Sequence, residues 1–280
     1  MSAQPALRLA AADSTARPLV PEPEAAPPVS VIVPCYDEAE GLPSLLARLE
    51  RMERLGWEFI FVDDGSRDST FTTLLAAART RPWMRVVRHG TNLGLGAAMR
   101  TGFDHARAPI VCTIDSDCTY LPERLPELVR LVEGGADIAT ASPWHPDCVP
   151  SQGGRVRVAL SRAVSGLYKR LIGQDVHTFT CLCRAYRREV VQETHFRAAG
   201  FAAVAELMLR GMLNGYRVRE VPMQLGTRRF GESKLRIGNA IVSHVGLLGL
   251  TALLLSARWA RGRASQACRG CRRRRGIRRR

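Results

Sequence analysis

The chain alternates short apolar runs with longer segments in which apolar residues recur every three or four positions. Short apolar runs bounded by polar loops are typical of buried strands, and the longer segments are typical of amphipathic helices. After residue 28 the pattern predicts five strands, at 31–33, 59–62, 84–87, 110–114 and 138–140. It predicts helices at about 40–54, 69–79, 95–106 and 122–133. This order predicts an α/β fold with a mostly parallel sheet and helices on both faces.

The second half of the chain has a less regular pattern. An amphipathic, basic segment predicts a helix over 155–172, and Asn214-Gly215 is a stop signal for a helix over 202–213. Strands are expected at 178–183 and 217–221. The first 28 residues are rich in Ala and Pro and have no helical or strand period, which predicts a disordered leader.

Polar segments follow the first four predicted strands. The carboxyl ends of parallel strands meet at one edge of a sheet, where open α/β folds bind ligands. The sequence therefore predicts a single ligand site that collects Pro34–Glu38, Asp63–Asp68, Asn92–Gly96 and Asp115–Asp117.

Two carboxylates stand one residue apart in Asp115-Ser116-Asp117. Carboxylates held that close repel each other unless a cation lies between them. A hard cation such as Mg²⁺ or Mn²⁺ is typically held by one or two carboxylates together with substrate phosphates. The motif predicts a site for a metal-bound diphosphate. Taken alone, a polar strand end with a helix cap would explain the same residues.

Two other loops offer groups for a nucleoside. After the first strand, Pro34 ends the apolar run, Tyr36 offers a flat face for stacking a base, and Glu38 offers hydrogen-bond acceptors. An acidic helix N-terminus would explain these residues equally. In the second loop, Asp68 or Ser69 caps the next helix, which leaves Asp63 and Asp64 unexplained by capping. A carboxylate there suits the ring nitrogens of a nucleobase.

The basic charge of the chain is concentrated in its tail. The net charge is +15, but residues 258–280 hold 11 arginines and no acidic residue, so the rest of the chain carries 30 basic and 26 acidic residues. A nucleic-acid-binding domain should show its basic footprint on the folded surface. The eight cysteines read as reduced cytosolic thiols, and the lone Cys268-Arg-Gly-Cys271 does not make a zinc site.

Residues 237–257 carry no formal charge and have the length of one membrane crossing. They also contain several polar residues, so a core or surface helix is the alternative interpretation. A basic tail behind an apolar helix attracts anionic lipid. We expect 237–257 to be a membrane-associated or membrane-spanning helix and 258–280 to contact the membrane surface.

Seven segments in order resemble family 2 glycosyltransferases with the GT-A fold, in the dolichyl-phosphate mannosyltransferase-like branch. They are Val31–Glu38, Val62–Ser69, Asn92–Ala97, Asp115–Asp117, Arg184–Arg188, Glu220–Pro222 and Arg228–Lys234. The resemblance implies a Rossmann-like nucleotide-diphospho-sugar transferase domain over 29–236. It implies inverting transfer from GDP-mannose or UDP-glucose to a polyprenyl phosphate at the cytoplasmic face of the cell membrane.

The resemblance also implies roles for individual residues. Asp115 and Asp117, with Ser116 between them, would bind Mg²⁺ or Mn²⁺ on the donor diphosphate. Arg228 and Lys234 would lie near phosphate. Together with Asp115 and Asp117 they would be the catalytic residues. Pro34, Tyr36, Glu38 and Asp64 would cradle the nucleotide. The full set predicted to bind the nucleotide sugar adds Asp63, Asp115, Ser116 and Asp117.

The acceptor side departs from the family pattern. Ala141–Pro146 replaces the usual Ser-Arg-Tyr, and Thr180–Arg184 replaces Thr-Ser-Gly-Phe-Arg. Arg184 and His145 are the candidate acceptor-side residues, whereas His177 and His195 have no constellation around them. Three other functions stay open: transfer to another lipid, glycan or metabolite, a non-catalytic GT-A scaffold, and nucleic-acid binding through the tail.

Overall fold

The computed structural model describes residues 26–149, 155–228 and 238–256. Most of the expected leader, all of the Arg-rich tail and Lys234 lie outside these residues. The six cysteines within them are free thiols.

The described residues form one seven-stranded sheet of order β3-β2-β1-β4-β6-β5-β7. Neighbouring strands are parallel except β6, which runs antiparallel to both β4 and β5. The prediction of a mostly parallel sheet is confirmed. The strands are β1 (Val29–Cys35), β2 (Glu58–Asp63), β3 (Met84–Arg88), β4 (Ile110–Thr113), β5 (Ile138–Ser142), β6 (Arg184–Arg187) and β7 (Val218–Pro222).

Helices cover both faces of the sheet. Helices α1, α2 and α4 pack on one face, and α3, α6 and α7 pack on the other. A third apolar cluster joins α5, α7 and α8. The helices are α1 (Leu42–Glu50), α2 (Thr70–Ala78), α3 (Leu95–His105), α4 (Leu125–Glu133), α5 (Arg155–Ile172), α6 (Arg188–Glu193), α7 (Ala202–Asn214) and α8 (Gly238–Ser256). Short 3₁₀ turns at Glu53–Leu55 and Pro122–Arg124 precede β2 and α4.

Local sequence explains where these elements form and end. The strands are near-continuous apolar runs because both of their faces are covered. In α4, Leu125, Leu128, Val129 and Val132 repeat at helical spacing and are all buried. Gly215 ends α7 in the left-handed conformation, with φ of 97°, which confirms the predicted stop signal.

The strand predicted at 178–183 is wrong. The strand instead lies at Arg184–Arg187, and the preceding segment is irregular but buried. Side chains satisfy part of its backbone: Thr178 N–H donates to Glu220, and Phe179 N–H donates to Ser165 Oγ at 3.3 Å. Side-chain contacts therefore take the place of the strand pairing that the apolar pattern of residues 178–183 predicted.

A buried ion-pair cluster ties the start of β2 to the sheet. Glu58 accepts hydrogen bonds from Ser30, Arg85 and Arg107, and the Arg85 side chain is 2% exposed. Burial alone raises the pKa of Glu58, but the hydrogen bonds from Ser30 and Arg107 outweigh it and bring the pKa below its usual value. The folded state therefore favours the ionised carboxylate.

Replacing Glu58 by Gln is expected to lower the free energy of unfolding by about 2 kcal/mol at pH 7, because Arg85 loses its buried counter-charge while Gln retains a hydrogen-bond acceptor. Because the folded pKa is the lower one, this stabilisation is present above the unfolded pKa of about 4.3 and is lost as pH falls through the folded value. Urea unfolding of both proteins between pH 3 and 7 measures the difference.

The matched control is Glu50→Gln, which removes an exposed ion pair with Arg81. Exposed pairs contribute at most about 1 kcal/mol. An equal loss in the two variants, or a difference from wild type that does not shrink at low pH, would contradict the role given to the Glu58 cluster.

Candidate functional site

Two cavities meet at the carboxyl edge of the sheet. The first, here called the open cavity, has a volume of about 750 Å³ and is lined by residues that include Pro34, Tyr36, Glu38, Asp64, Asn92 and Ser116. The second, here called the apolar cavity, has a volume of about 440 Å³ and is lined by residues that include Trp144, Val158, Val164, Phe201, Leu225 and Ile241. Asp115, Asp117 and Arg228 line both. The acid pair therefore lies where the open cavity and the apolar cavity join.

The loop after β4 holds Asp117 in a defined orientation. Its Oδ1 accepts hydrogen bonds from the backbone N–H and the hydroxyl of Thr119, at 2.9 and 2.5 Å. Cys118, between them, has a left-handed backbone with φ of 56°. Such a conformation is uncommon for a residue with a side chain and is frequent at functional turns. Oδ2 of Asp117 is left facing Arg228, at 3.6 Å from Nη1.

Arg228 bridges the two loops that carry the acidic groups. Its Nη2 lies 2.5 Å from both carboxylate oxygens of Glu38, while its Nη1 faces Asp117. Glu38 and Arg228 are 190 residues apart in the chain. The guanidinium thus places a positive charge between an acid of the β1 loop and an acid of the β4 loop.

The β1 loop is tied to the β2 loop by backbone hydrogen bonds. Asp37 N–H donates to Ser66 Oγ at 3.0 Å, and Glu38 N–H donates to Thr70 Oγ1 at 2.8 Å. Asp37 also has a left-handed backbone, with φ of 51°. These bonds hold Tyr36 and Glu38 on the wall of the open cavity.

Asp64 lines the open cavity, but its carboxylate is already engaged by the protein. It accepts hydrogen bonds from the backbone N–H of Leu93 and Gly94 at 2.9 and 2.7 Å. His89 Nδ1 lies 2.7 Å from its Oδ1. Asp64 therefore holds the loop before α3 against the β2 loop.

Asp63 is fully buried and does not line the open cavity. Its Oδ1 accepts from Ser66 N–H at 3.3 Å, and its Oδ2 pairs with Arg88 at 3.1 Å. The structure places Asp63 in the support of the β2 loop, so the nucleotide contact predicted for it lacks access.

Gly94 and Gly96, in the loop that the sequence assigned to the site, are required by close packing. A Cβ at Gly96 would lie 2.0 Å from the carbonyl oxygen of Ala198, and Gly96 N–H donates to the carbonyl of Ala199. Gly94 has φ of 90° and lies against the same segment. The two glycines bring the 198–200 segment to the cavity wall, where Gly200 and Phe201 line it.

Arg184 is a correction to the acceptor-side prediction. Its side chain is fully buried, and it donates to Thr140 Oγ1 and to the carbonyls of Val204 and Phe179 at 3.2, 2.6 and 2.7 Å. It lines neither cavity. Its hydrogen bonds hold β6 to β5 and to α7.

His145 also lies outside the lining of both cavities, beside a cluster that the sequence did not reveal. Its ring packs on His177 with centroids 5.5 Å apart. His177 Nδ1 lies 2.8 Å from Glu220 Oε2, and its Nε2 lies 2.9 Å from Lys169 Nζ. The expectation that His177 stands alone is therefore wrong, and this cluster supports the segment that leads into Thr178.

Helix α8 forms a wall of both cavities. Asn239, Ala240 and Ser243 line the open cavity, and Ile241 and His244 line the apolar cavity. Three of the polar residues that weaken this segment as a membrane span, Asn239, Ser243 and His244, thus line the cavities. Most of the helix is exposed, and its length and composition are sufficient to cross a membrane.

The acid pair fits a divalent cation that is shared with a substrate. Within the described ranges, no group of three or more His, Cys, Asp or Glu side chains is placed to hold a metal ion. Asp115 and Asp117 are both partly exposed to the cavities, so a cation bound there retains positions for phosphate oxygens. Mg²⁺ and Mn²⁺ are commonly held in this way.

Comparisons with known proteins identify the family of the chain. The model of Glycosyl transferase family 2 matches residues 30–194. Undecaprenyl-phosphate 4-deoxy-4-formamido-L-arabinose transferases from Salmonella paratyphi B and Salmonella newport are each 30% identical over 237 residues, covering 81% of this chain and 69% of theirs.

Solved structures share the fold. Glucosyl-3-phosphoglycerate synthase from Mycobacterium tuberculosis, in complex with phosphoglyceric acid, has a TM-score of 0.61 and 22% identity, and covers 82% of this chain and 79% of its own. The same enzyme with Mn²⁺, UDP-glucose and phosphoglyceric acid also has a TM-score of 0.61 and 22% identity, with 80% of each chain covered. The chain belongs to glycosyl transferase family 2 and is a glycosyltransferase with the GT-A fold, which confirms the predicted family and fold class.

Proposed function

We propose that the protein transfers a sugar from a nucleoside-diphosphate sugar to a polyprenyl phosphate, with inversion at the anomeric carbon. The observation that carries this proposal is the junction of the two cavities at Asp115 and Asp117. The open cavity presents Tyr36, Glu38 and Asn92, which suit a nucleotide, and the apolar cavity suits the chain of a lipid acceptor. The Salmonella relatives are transferases that act on undecaprenyl phosphate.

Asp115 and Asp117 would hold Mg²⁺ or Mn²⁺ against the donor diphosphate. When bound, the metal supplies charge stabilisation for the leaving nucleoside diphosphate. Arg228 adds a fixed positive charge at the same edge, and Lys234, outside the described residues, is proposed to join it. Because a phosphate acceptor is already anionic at neutral pH, its oxygen attacks without a strong general base.

For the nucleotide, we propose that Pro34, Tyr36 and Glu38 contact the nucleoside, while Asp64 holds the neighbouring loop. Of the two donors expected from the sequence, UDP-glucose is favoured over GDP-mannose. The support is that solved structures of the same fold hold UDP or UDP-glucose with Mn²⁺.

We propose that α8 lies along the cytoplasmic face of the membrane. Its inner face packs on α5 through Tyr168 and His244, while Val242, Val245 and Leu253 are more than 60% exposed. Helix α5 carries five basic residues and no acidic one. A helix with one docked face and one exposed apolar face suits the membrane interface, and nearby basic residues attract anionic lipid. The Arg-rich tail is proposed to add to this attraction.

The donor proposal is tested by calorimetry of the full chain against UDP and GDP, with and without Mn²⁺. We expect UDP to bind at least about tenfold more tightly with Mn²⁺, a difference of about 1.4 kcal/mol. Tighter metal-dependent binding of GDP would indicate that the donor is GDP-mannose rather than UDP-glucose. Failure of a folded sample to bind either nucleotide would favour the non-catalytic scaffold.

The acceptor proposal is tested by transfer assays with a short-chain polyprenyl phosphate and with phosphoglyceric acid, the acceptor bound in the solved relatives. Transfer to the polyprenyl phosphate supports the proposal. Transfer only to phosphoglyceric acid would instead establish a soluble metabolite as acceptor.

A further inference from the structure

His244 is an imidazole on the wall of the apolar cavity. It lies on the inner face of α8, and 9% of the residue is exposed. A polar ring in an apolar wall is costly unless its nitrogen atoms find partners. The reaction proposed above does not use this residue.

Tyr168 engages one of the two ring nitrogens. Tyr168 is fully buried in α5, and its hydroxyl oxygen lies 2.9 Å from His244 Nδ1 and 3.4 Å from the His244 carbonyl oxygen. A hydroxyl has one proton to donate, and 3.4 Å is too long for a good O–H···O bond. The shorter contact favours donation of this proton to Nδ1, and in that arrangement Nδ1 is the unprotonated nitrogen of the ring.

The other nitrogen carries the proton as a consequence. Burial lowers the pKa of His244, so the ring is neutral at pH 7. A neutral imidazole with an unprotonated Nδ1 has its N–H at Nε2. None of the described residues forms a hydrogen bond with His244 Nε2. The atom is also not fully enclosed by protein. Because His244 lines the apolar cavity, this N–H donor is available on the cavity wall.

We propose that His244 Nε2–H donates a hydrogen bond to a phosphate oxygen of the acceptor and that Tyr168 is the positioning residue that fixes the required tautomer. The inference rests on the proposed polyprenyl-phosphate acceptor and adds a residue that recognises its head group. An N–H donor suits an anionic oxygen, whereas a prenyl chain has no acceptor for it. Because the proton is held on Nε2, the ring is not placed to act as a base towards a hydroxyl acceptor.

The test measures acceptor KM, kcat and donor affinity for the full chain with a short-chain polyprenyl phosphate. His244→Leu is expected to raise the acceptor KM by about 10- to 100-fold, the loss typical of a hydrogen bond to a charged group, while donor affinity and kcat change by less than about twofold. His244→Gln is expected to restore most of the loss, because its amide N–H takes the place of Nε2–H. Tyr168→Phe is expected to raise the acceptor KM by a smaller factor, because the ring then divides between its two tautomers.

A second measurement uses the wild-type protein. Nitrogen-15 NMR of histidine-labelled protein is expected to show His244 as the Nε2–H tautomer, with a shift of that proton on addition of the polyprenyl phosphate. The inference would be overturned by an unchanged acceptor KM in His244→Leu, or by failure of His244→Gln to restore the acceptor KM. An Nδ1–H tautomer, or an equal loss of donor affinity, would overturn it as well. Wild-type protein that binds the donor but does not transfer to polyprenyl phosphate would overturn the proposed function and this inference together, whereas an active wild type with an unchanged variant overturns only the inference.

Discussion

Replacing Asp117 by Asn is expected to lower kcat/KM for sugar transfer by at least about 1000-fold, or about 4 kcal/mol of transition-state stabilisation. Asp117 Oδ2 faces the junction of the two cavities, while Oδ1 is used by Thr119. Asn keeps an oxygen for Thr119 and removes the charge, so the turn survives while the affinity for metal falls. Steady-state assays over a range of Mn²⁺ concentrations measure the loss.

The control for this variant is Asp147→Asn, because the side chain of Asp147 is 81% exposed and belongs to a neighbouring loop. We expect it to retain wild-type activity. Asp117→Ala should be as inactive as Asp117→Asn but less stable, since it also loses the bonds to Thr119. Wild-type turnover with unchanged metal dependence in Asp117→Asn would remove the metal role proposed for the acid pair.

Arg228→Met is expected to lower kcat by about 10²–10³-fold, the range found when one fixed electrostatic group at a reacting centre is removed. The substitution retains an extended side chain but leaves Glu38 and Asp117 without the cation between them. The diphosphate would then meet two negative charges and lose a positive one. Arg228→Lys should recover only part of the activity, because an ammonium lacks the two-pronged geometry of the guanidinium.

Arg81→Met is the matched control for Arg228. Arg81 has a similar exposed fraction, 24% against 20%, and an ion pair with Glu50, but it lines neither the open nor the apolar cavity. Transfer assays and calorimetry with the donor are made on both variants. An equal loss in the two would show that the effect of Arg228 is one of general charge rather than of position.

Local pattern was sufficient to predict most of the fold. The five early strands and the helices between them follow from apolar runs and amphipathic spacing, because a sheet covered on both faces needs near-continuous apolar strands. Residues 178–183 have a similarly apolar pattern but form no strand. Their backbone groups are satisfied by Glu220 and Ser165, which the chain brings together only on folding.

In the candidate site, too, some residues could be predicted from the sequence and others could not. Asp115 and Asp117 were predicted because they directly follow a buried strand, and Tyr36 and Glu38 because they follow another. The sequence could not show that Asp64 is engaged by Leu93, Gly94 and His89, since a carboxylate that binds a ligand and one that binds a loop have the same sequence pattern.

The sequence by itself determined the family, the order of the first five strands and the helices between them, the acid pair and the uneven distribution of charge, because these depend on residues that are neighbours in the chain. Only the tertiary structure decided which side chains meet across long separations. It paired Arg228 with Glu38, buried Arg184 away from both cavities, and turned His244 of an apolar helix towards Tyr168 and the site. Such partners are selected by the packing of whole elements, which places residues up to 190 positions apart within hydrogen-bond distance.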